Sequence, residues 1–415
     1  MSENVSTYQR INVSTHTWCI IMAGGLGSRF WPVSGIDCPK QFVDTMGVGR
    51  SMLQLTFERM EKLCPRDHIV VVTGEQYTDR VREQVPGLLP WQVLGEPLRR
   101  NTAPCIAYAA AIIAQMDPEA TVVVSPADHA IFGLDRFVRN LSQAINCVQK
   151  HDWIITLGAQ PVKPDTSYGY IQFREPTTPV DKMDVDKLIS STEEQPRQPI
   201  NLSTYQPINL STYQPINLST YQPINNLYEV VTFTEKPPVE MARQMIASGE
   251  FFWNTGLLVW RLPVLRQAYE KFLPAIAENF FGLTLNTSHT VLEQVYSQCE
   301  AISVDHGIME KADNVHVMAA SFGWSDVETW DSLYGVFHHD ENGNAIVNGL
   351  TVTYDTHNCV VVVPADMSVV LDGLDGYIVA ATDDTLMICR RKNEDKIFKY
   401  ANDMEMEQLL FGKVK

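Results

Sequence analysis

An apolar strand that runs straight into a glycine-rich loop constrains this chain more than any other feature. Residues 18–22 form the apolar run, and the loop that follows, residues 23–28 (AGGLGS), contains three glycines. Arg29 comes directly afterwards, and Pro39-Lys40 stands further along the chain. Glycines allow sharp turns and bring backbone N–H groups close to a ligand, while arginine and lysine supply positive charge. The loop is therefore predicted to hold the phosphate groups of a nucleotide.

The loop does not match the two best-known nucleotide-binding fingerprints. A Walker loop requires Lys-Ser or Lys-Thr directly after its last glycine, whereas Ser28-Arg29 stands here. A Rossmann fingerprint requires a third glycine three residues after the second, and that position is Phe30. The loop therefore indicates a third type of phosphate-binding loop. The alternative interpretation is an ordinary glycine-rich turn between a strand and a helix.

The pattern of elements predicts an α/β fold with a mainly parallel, Rossmann-like sheet flanked by helices. Strand-like and helix-like segments alternate from residue 18 to about 158, which is typical of parallel sheets covered on both faces. Short strands separated by Gly, Asp and Asn turns follow from about residue 342, and they predict a small all-β C-terminal domain. The predicted divisions are an N-terminal tail at 1–17, a nucleotide-binding domain at 18–340 and a β-rich domain at 341–415.

A direct repeat interrupts the central domain. The sequence QPINLSTY occurs at residues 198, 206 and 214, inside a segment of about 178–226 that is predicted to be an insertion. Each repeat contains a proline, and repeated proline disfavours a central strand. We interpret the repeat as a loop without a catalytic role, and the alternative is an edge ribbon that binds a partner.

Composition narrows the possible classes of protein. The net charge is −17, from 49 acidic and 32 basic residues, which argues against nonspecific nucleic-acid binding. No apolar run approaches the length of a membrane span, and the N-terminus lacks the apolar core of a secretory signal. None of the eight cysteines forms a C-x-x-C pair. These features predict a cytoplasmic protein without membrane or nucleic-acid partners.

Several motifs taken together carry a family resemblance. The loop has the form Gly-Gly-x-Gly-x-Arg with a distant Pro-Lys, and it is extended by Trp31-Pro32 and Lys40-Gln41-Phe42. Further segments agree in order and rough spacing: RNTAPCIA at 100, SPADH at 125, EKP at 235, WNTG at 253 and GWSD at 323. Together they resemble the sugar nucleotidyltransferases, and most closely the bacterial mannose-1-phosphate guanylyltransferases.

The resemblance implies a role for each matching residue. It places Arg29 and Lys40 as catalytic residues, and Mg²⁺ on Asp128 and Asp326. The alternative for each aspartate is a helix cap. The nucleotide would be bound by Ala23, Gly24, Gly25, Gly27, Ser28, Asn101 and Thr102. The sugar phosphate would be bound by Gly169, Glu235, Lys236 and Asn254.

The implied reaction transfers GMP from GTP to mannose 1-phosphate and gives GDP-mannose and pyrophosphate. Two alternatives stay open: the same chemistry with another hexose 1-phosphate and nucleoside triphosphate, and a non-catalytic relative that senses nucleotide sugars. We expect a single activity, because the chain ends soon after the β-rich tail. The sequence does not determine the oligomeric state, although that tail could serve as the contact of a homodimer.

Overall fold

The computed structural model of the protein describes residues 16–25, 28–174 and 227–411, except for the side chains of Ser28 and of residues 408–411. The predicted N-terminal tail up to residue 15, Gly27 and the repeat insertion therefore lie outside the described residues.

Strands and helices alternate through the first half of the chain. In chain order the strands are β1 (Thr17–Ala23), β2 (Ile69–Gly74), β3 (Val93–Glu96), β4 (Thr121–Pro126), β5 (Ala130–Phe132), β6 (Ile154–Ala159), β7 (Gly169–Arg174), β8 (Leu227–Glu235), β9 (Phe251–Arg261), β10 (Val315–Ala319), β11 (Gly323–Ser325), β12 (Ala345–Val347), β13 (Leu350–Tyr354), β14 (Val360–Val362), β15 (Ser368–Asp372), β16 (Tyr377–Ala381) and β17 (Leu386–Arg390). The α-helices are α1 (Met52–Met60), α2 (Thr78–Gln84), α3 (Thr102–Met116), α4 (Leu134–Val148), α5 (Val239–Ser248), α6 (Leu262–Phe272), α7 (Pro274–Phe280), α8 (His289–Gln298), α9 (Trp330–Val336) and α10 (Ile397–Phe411).

The large sheet is mixed, with the strand order β3-β2-β1-β4-β9-β6-β10-β8-β7 and a further pairing between β9 and β7. Strands β1 to β4 are parallel, whereas β9 runs antiparallel to both β4 and β6. Beyond β9, β6 and β10 form one more parallel pair, while β8 is antiparallel to β10 and to β7. The prediction of a mainly parallel sheet is therefore wrong for this half. Strand direction in this half is set by pairing between segments that are far apart in the chain, since β9 pairs antiparallel with β4, β6 and β7.

Helices cover both faces of the large sheet. One face packs against α3, α6, α7 and α8, which bring apolar side chains onto the strands β1, β2 and β4. The other face packs against α1, α2 and α4. Strands β2 and β6 are buried along their whole length, as expected for strands covered on both sides. The carboxyl ends of β1 to β4 consequently form one rigid, accessible edge where ligands of such sheets bind.

Sequence patterns located many of these elements closely. The alanine-rich run predicts a helix from a Thr102 cap to Met116, and α3 has these limits, but its N-cap is Asn101, whose side chain accepts from the Thr102 backbone N–H. Ser51 predicts a helix start by its position before a helical pattern, and it caps α1 with a capping box. A cap at Asp326 would require a helix over residues 327–333, whereas α9 begins at Trp330 and is capped by Thr329. The alternative interpretation of Asp326 as a helix cap is therefore wrong.

The C-terminal part is a short β-solenoid followed by a helix. Strands β12, β14 and β16 stack in parallel register, with Ala345 beside Val360 and Val360 beside Ile378, and β13 and β15 form a second parallel pair. Helix α10 follows, so the prediction of an all-β domain is wrong in this respect. The solenoid shares a buried cluster with the loop after β1, in which the rings of Phe30 and Trp330 meet edge to face at 5.2 Å.

Two general features complete the fold. All eight cysteines lie in the described residues as free thiols. Within those residues, no helix is both long enough and apolar enough to cross a bilayer.

Candidate active site

A buried glutamine supports the glycine loop where it leaves β1. The Nε2 atom of Gln41 donates to the backbone oxygens of Ala23, at 2.7 Å, and of Gly25, at 2.9 Å. The Thr73 hydroxyl donates to the same Ala23 oxygen at 2.9 Å. Because side chains hydrogen-bond to these carbonyl oxygens, the backbone on both sides of Gly24 has a fixed path at the edge of the sheet. Gly27 lies outside the described residues, and so does the side chain of Ser28.

Lys40 connects the two predicted metal ligands. Its side chain is only 4% exposed, and its ammonium lies 2.9 Å from the Oδ2 atom of Asp128. The same nitrogen donates to the backbone oxygens of Asp326, at 2.7 Å, and of Val327, at 3.0 Å. All three N–H groups of the ammonium therefore have oxygen partners. One cation thus joins segments that are 198 residues apart in the chain, since Asp128 follows β4 and Asp326 follows β11.

The two aspartates experience different electrostatic surroundings. Burial alone would raise the pKa of Asp128, but the Lys40 ammonium outweighs it and the net shift is downward. Burial raises the pKa of Asp326 to about 6, although Lys40 and the Tyr168 hydroxyl, which donates to its Oδ1 atom at 2.9 Å, work in the opposite direction. The Asp128 carboxyl group therefore has the lower pKa of the two and loses its proton more readily.

His129 serves the structure of the site as a neutral ring. Burial lowers its pKa to about 4, and Asp128 only partly offsets this shift. The indole Nε1 of Trp324 donates to its Nδ1 atom at 3.2 Å, and the two rings meet edge to face. A neutral imidazole that accepts from tryptophan links β11 to the segment carrying Asp128.

Arg29 lies at the rim of the site in an ion pair with Glu328. The guanidinium is 2.9 Å from the Oε2 atom of Glu328, and the side chains are 55% and 38% exposed. Glu328 is two residues from Asp326, and its backbone N–H donates to the Oδ1 atom of that aspartate. The predicted phosphate-binding arginine is therefore close to the segment that carries the second predicted metal ligand.

The segment predicted to contact the nucleoside is tied to the later half of the chain. Asn101 has a left-handed backbone, with φ 69°, and this conformation lets its side chain cap α3. The Thr102 hydroxyl accepts from the Val304 N–H at 2.9 Å, and the Ala103 N–H donates to the Ile302 oxygen at 3.1 Å. These bonds hold the start of α3 beside the turn that carries Asp305.

The sugar-side residues come from antiparallel strands. The Nδ2 atom of Asn254, in β9, donates to Asp305 at 2.9 Å, and its Oδ1 atom accepts from the Gly256 N–H at 3.1 Å. Gly169 and Glu235 are register partners at the ends of β7 and β8, and Lys236 follows with a left-handed φ of 46°. Burial raises the pKa of Asp305 to about 6, and Glu235 adds to this shift.

A single cleft of about 240 Å³ brings both sets of residues together. From the predicted sites it is lined by Thr102, Gly169, Glu235, Lys236, Asn254 and Asp326. Lys40 and Asp128 do not line the cleft. Lys40 is connected to it by the hydrogen bond to the Asp326 backbone oxygen, and Asp128 is connected by its ion pair with Lys40. The cleft is thus lined by all four predicted sugar-phosphate residues, but by only Thr102 of the predicted nucleotide residues and only Asp326 of the two aspartates. Arg29 is not a lining residue and is connected to the cleft through Glu328, which is one.

Comparison with known proteins agrees with this geometry. A family model described as nucleotidyl transferase matches residues 18–214 and 221–343. The chain belongs to the nucleotidyl transferase family. The resemblance inferred from the motifs is thereby confirmed.

Relatives of this nucleotidyltransferase cover nearly all of its length. It is 29% identical over 399 residues to the mannose-1-phosphate guanylyltransferase of Escherichia coli (strain K12), which covers 94% of this chain and 73% of the relative. It is 29% identical over 385 residues to the alginate biosynthesis protein AlgA of Pseudomonas fluorescens, covering 90% and 68%. The crystal structure of mannose-1-phosphate geranyltransferase from Thermus thermophilus matches with a TM-score of 0.74 at 27% identity, covering 94% of this chain and 99% of that one.

Some residues of the nucleotidyltransferase site were not predicted as functional from the sequence. Asp305 and Tyr168 line the cleft and hydrogen-bond to Asn254 and Asp326 respectively. Tyr168 is adjacent to Gly169, which the resemblance assigns to the sugar phosphate, so the sequence contains a signal for it. Gln41 belongs to the Lys-Gln-Phe motif, but its hydrogen bonds to the glycine loop form only in the folded chain.

Proposed function

We propose that the chain transfers GMP from GTP to mannose 1-phosphate, giving GDP-mannose and pyrophosphate. The relatives named for this reaction support the substrates, and the shared cleft supports the chemistry. The observation that carries the proposal is the Lys40 ammonium, which holds the segments of Asp128 and Asp326 together beside that cleft.

The proposed chemistry needs alignment and charge neutralisation more than acid–base catalysis. A phosphate oxygen of mannose 1-phosphate attacks the α-phosphorus of GTP in line, the new P–O bond forms as the bond to the β-phosphate oxygen breaks, and pyrophosphate leaves with the electron pair. The attacking oxygen is already anionic, so no residue has to remove a proton. Arg29 and the N–H groups of the glycine loop would bind the β- and γ-phosphates and stabilise the leaving group.

The remaining residues position the two substrates. Lys40 would neutralise charge at the α-phosphate, which requires one of its three present oxygen partners to be exchanged for a phosphate oxygen. Lys236 would bind the sugar phosphate, while Glu235 and Asn254 would hydrogen-bond to sugar hydroxyls. Carboxylate and amide groups suit a polyol, because together they offer both donors and acceptors.

We propose that the site binds Mg²⁺. Carboxylate oxygens are ligands that Mg²⁺ prefers, and the Lys40 ammonium holds the segments of Asp128 and Asp326 together through the carboxylate of the first and the backbone oxygen of the second. Among the described residues no cluster of three metal-binding side chains occurs, but Mg²⁺ is commonly bound by one or two carboxylates together with substrate phosphates. Asp128 and Asp326 would hold the ion, which supplies charge neutralisation to the phosphate oxygens.

We further propose a homodimer in a reducing, cytoplasmic environment. Eight free thiols suit such a compartment. The outward side of the β13–β15 pair exposes an apolar row, with Leu350 68%, Tyr354 60% and Val370 69% exposed. A second copy that covers this row would remove apolar surface from water.

A pyrophosphate-release assay tests the proposed reaction. Purified protein would be given GTP and mannose 1-phosphate, with and without Mg²⁺, beside a panel of other nucleoside triphosphates and hexose 1-phosphates. We expect pyrophosphate and GDP-mannose in equal amounts, dependent on Mg²⁺ and fastest with this pair. Faster turnover of another pair would establish the alternative specificity. Binding of GDP-mannose without any pyrophosphate release would establish the sensor.

A further inference from the structure

A tyrosine in the cleft connects the segment that is proposed to bind the sugar phosphate with the segment of a proposed metal ligand. Tyr168 is the residue before β7, is only 7% exposed and lines the cleft beside Gly169. Its backbone oxygen accepts from the Lys236 N–H at 3.2 Å, and its hydroxyl donates to the Oδ1 atom of Asp326 at 2.9 Å. The proposed chemistry gives this hydroxyl no role.

The hydroxyl binds one oxygen of the Asp326 carboxylate and leaves the other. Among the described residues, the two donors to this carboxylate are the Tyr168 hydroxyl and the Glu328 backbone N–H, and both donate to Oδ1. A carboxylate offers about four acceptor positions on its two oxygens. Two donors on one oxygen restrict the rotation of the group, and the Oδ2 atom retains its acceptor positions for a cation.

Aromatic packing fixes the ring that carries the hydroxyl. Tyr168 meets Trp253 edge to face at a centroid distance of 4.7 Å, and it packs against Trp324 at 5.2 Å. Trp324 in turn donates its indole N–H to His129, the residue after Asp128. Because the ring lies between two tryptophans, the position of its hydroxyl is set by the fold. A tyrosine keeps its proton at neutral pH, so this hydroxyl acts as a donor to the carboxylate.

We infer that Tyr168 is a positioning residue for the metal ion, whose hydroxyl holds the Asp326 carboxylate so that its Oδ2 atom can bind Mg²⁺. The inference rests on the proposed function and on the proposed use of Mg²⁺. Hydrogen bonds from outer residues orient metal-binding carboxylates, and loss of such a partner lowers metal affinity by about 10-fold to 100-fold. The backbone of the same residue binds Lys236, so one residue holds the proposed metal and sugar-phosphate segments in a single arrangement.

The test removes the hydroxyl and nothing else. Tyr168→Phe keeps the ring, its contacts with both tryptophans and the backbone bond to Lys236, and it loses only the donor to Asp326. We expect the Mg²⁺ concentration for half-maximal pyrophosphate release to rise by about 10-fold. Saturating Mg²⁺ should restore turnover to within about threefold of the wild type, because mass action offsets a weaker metal site. The KM for GTP at saturating Mg²⁺ should stay unchanged.

Tyr170→Phe is the matched control, because it removes a second buried tyrosine hydroxyl two residues further along the chain. Tyr170 is 0% exposed, and its hydroxyl donates to the Asp165 backbone oxygen at 2.9 Å and not to a predicted metal ligand. The loss of this hydrogen bond should lower the urea midpoint slightly and leave the Mg²⁺ requirement as in the wild type. A hydroxyl with a merely structural role at Tyr168 would give the same result as this control.

A binding measurement separates the metal site from turnover. Mn²⁺ takes the place of Mg²⁺, GDP-mannose is added without pyrophosphate so that no reaction proceeds, and electron paramagnetic resonance reports the free Mn²⁺. The Kd for Mn²⁺ should rise by about 10-fold in Tyr168→Phe and stay unchanged in Tyr170→Phe. If folded Tyr168→Phe binds Mn²⁺ as the wild type does, or loses turnover that Mg²⁺ does not restore, the assignment of Tyr168 is wrong. If the wild type releases no pyrophosphate from GTP and mannose 1-phosphate at any Mg²⁺ concentration, the proposed function itself fails, and this inference fails with it.

Discussion

The two ends of the site that we propose bind the nucleotide and the sugar phosphate, called here the nucleotide end and the sugar end, are built on different halves of the sheet. At the nucleotide end, β1 to β4 are parallel, and the predicted residues follow the strands in loops held by Gln41 and Lys40. At the sugar end, β7, β8 and β9 are antiparallel, and Gly169, Glu235 and Asn254 belong to the strands themselves. Loops can present backbone N–H groups to phosphates, whereas strands present side chains at regular spacing.

The two ends also differ in the sign of their charged groups. The nucleotide end places a buried ammonium between an aspartate and two carbonyl oxygens, and Arg29 stands beside it. At the sugar end, burial and then the Glu235 carboxylate raise the pKa of Asp305. We therefore expect substitutions at the nucleotide end to lower turnover, and substitutions at the sugar end to weaken the binding of one substrate.

The largest expected effect is that of Lys40→Met. The substitution leaves Asp128 without its ammonium partner and separates it from the segment of Asp326. Turnover should fall by about 1,000-fold, and the free energy of unfolding by about 3 kcal/mol, as is usual when one partner of a buried ion pair is removed. Pyrophosphate release and urea unfolding measure the two quantities. Lys399→Met, at an exposed helical pair with Asp403, should change neither. Turnover within tenfold of the wild type would contradict the central place given to Lys40.

The next effect is that of Arg29→Ala. Loss of the guanidinium should lower turnover by roughly 100-fold, which is typical for a removed donor to developing charge. Stability should change by less than about 1 kcal/mol, because exposed ion pairs contribute little. Arg82→Ala, at the exposed pair with Asp79, is the matched control. Near-normal turnover in the Arg29 variant would refute its role at the leaving group.

The nucleotide end could be predicted from the sequence better than the sugar end. Local signals act there: a buried strand precedes the glycines, Asp128 follows another strand, and the limits of α3 emerge from its alanine-rich pattern. The antiparallel half escaped prediction, because strand direction depends on pairing between distant segments. The bulge between Thr156 and Gly158, opposite β9, illustrates this dependence.

The contacts that assemble the site escaped prediction for the same reason. Lys40 and Asp326 were each recognised from short motifs, but the ammonium binds the backbone oxygen of residue 326 rather than its carboxylate. The hydrogen bond from the Tyr296 hydroxyl to the Glu96 carboxyl group, at 3.1 Å, joins residues that are 200 apart in the chain, and neither belongs to a motif. Sequence patterns report strand ends and turn residues, whereas these hydrogen bonds exist only after the helices have packed onto the sheet.

At the sugar end, Asn254→Ala should act on one substrate only. The change removes the donor to Asp305 and the acceptor for the Gly256 N–H. We expect the KM for mannose 1-phosphate to rise by about 10-fold to 30-fold, and the KM for GTP to change by less than about twofold, in line with the loss of one or two hydrogen bonds. Initial rates over a grid of both substrates measure this. Asn279→Ala, on the exposed surface of α7, is the control. An equal rise in both KM values would contradict the separation of the two ends.

Buried acids allow the two ends to be compared through stability. Glu96 is the buried last residue of β3, at the nucleotide end. It binds a proton more tightly in the folded chain than in the unfolded chain, because burial raises its pKa from 4.5 to about 7. Between pH 4.5 and about 7, Glu96 is therefore protonated more fully in the folded state than in the unfolded state. The contribution of Glu96 to the free energy of unfolding consequently falls as pH rises through this window. At pH 8, Glu96→Gln should stabilise the protein by roughly 3 kcal/mol, and near pH 4 it should have little effect. Asp305→Asn should show the same sign with a window that closes near pH 6. Urea unfolding at both pH values would test this, and a stabilisation independent of pH would contradict it.

The smallest expected effect is that of Glu328→Gln. This variant tests the exposed rim of the nucleotide end, where Arg29 lies, without changing its buried centre around Lys40. Glu328 binds the Arg29 guanidinium at 2.9 Å, and the triphosphate must replace it if Arg29 is to bind the β- and γ-phosphates. Removing the carboxylate charge should lower the KM for GTP by about twofold to threefold at low salt, and the difference should shrink as salt screens the exposed pair. Turnover at saturating GTP should remain unchanged, because Lys40 and both aspartates keep their contacts. Glu61→Gln, at the exposed pair with Arg66, provides the matched control. A higher KM for GTP would contradict this prediction. It would indicate that Glu328 helps to bind the nucleotide by holding the Arg29 guanidinium in position.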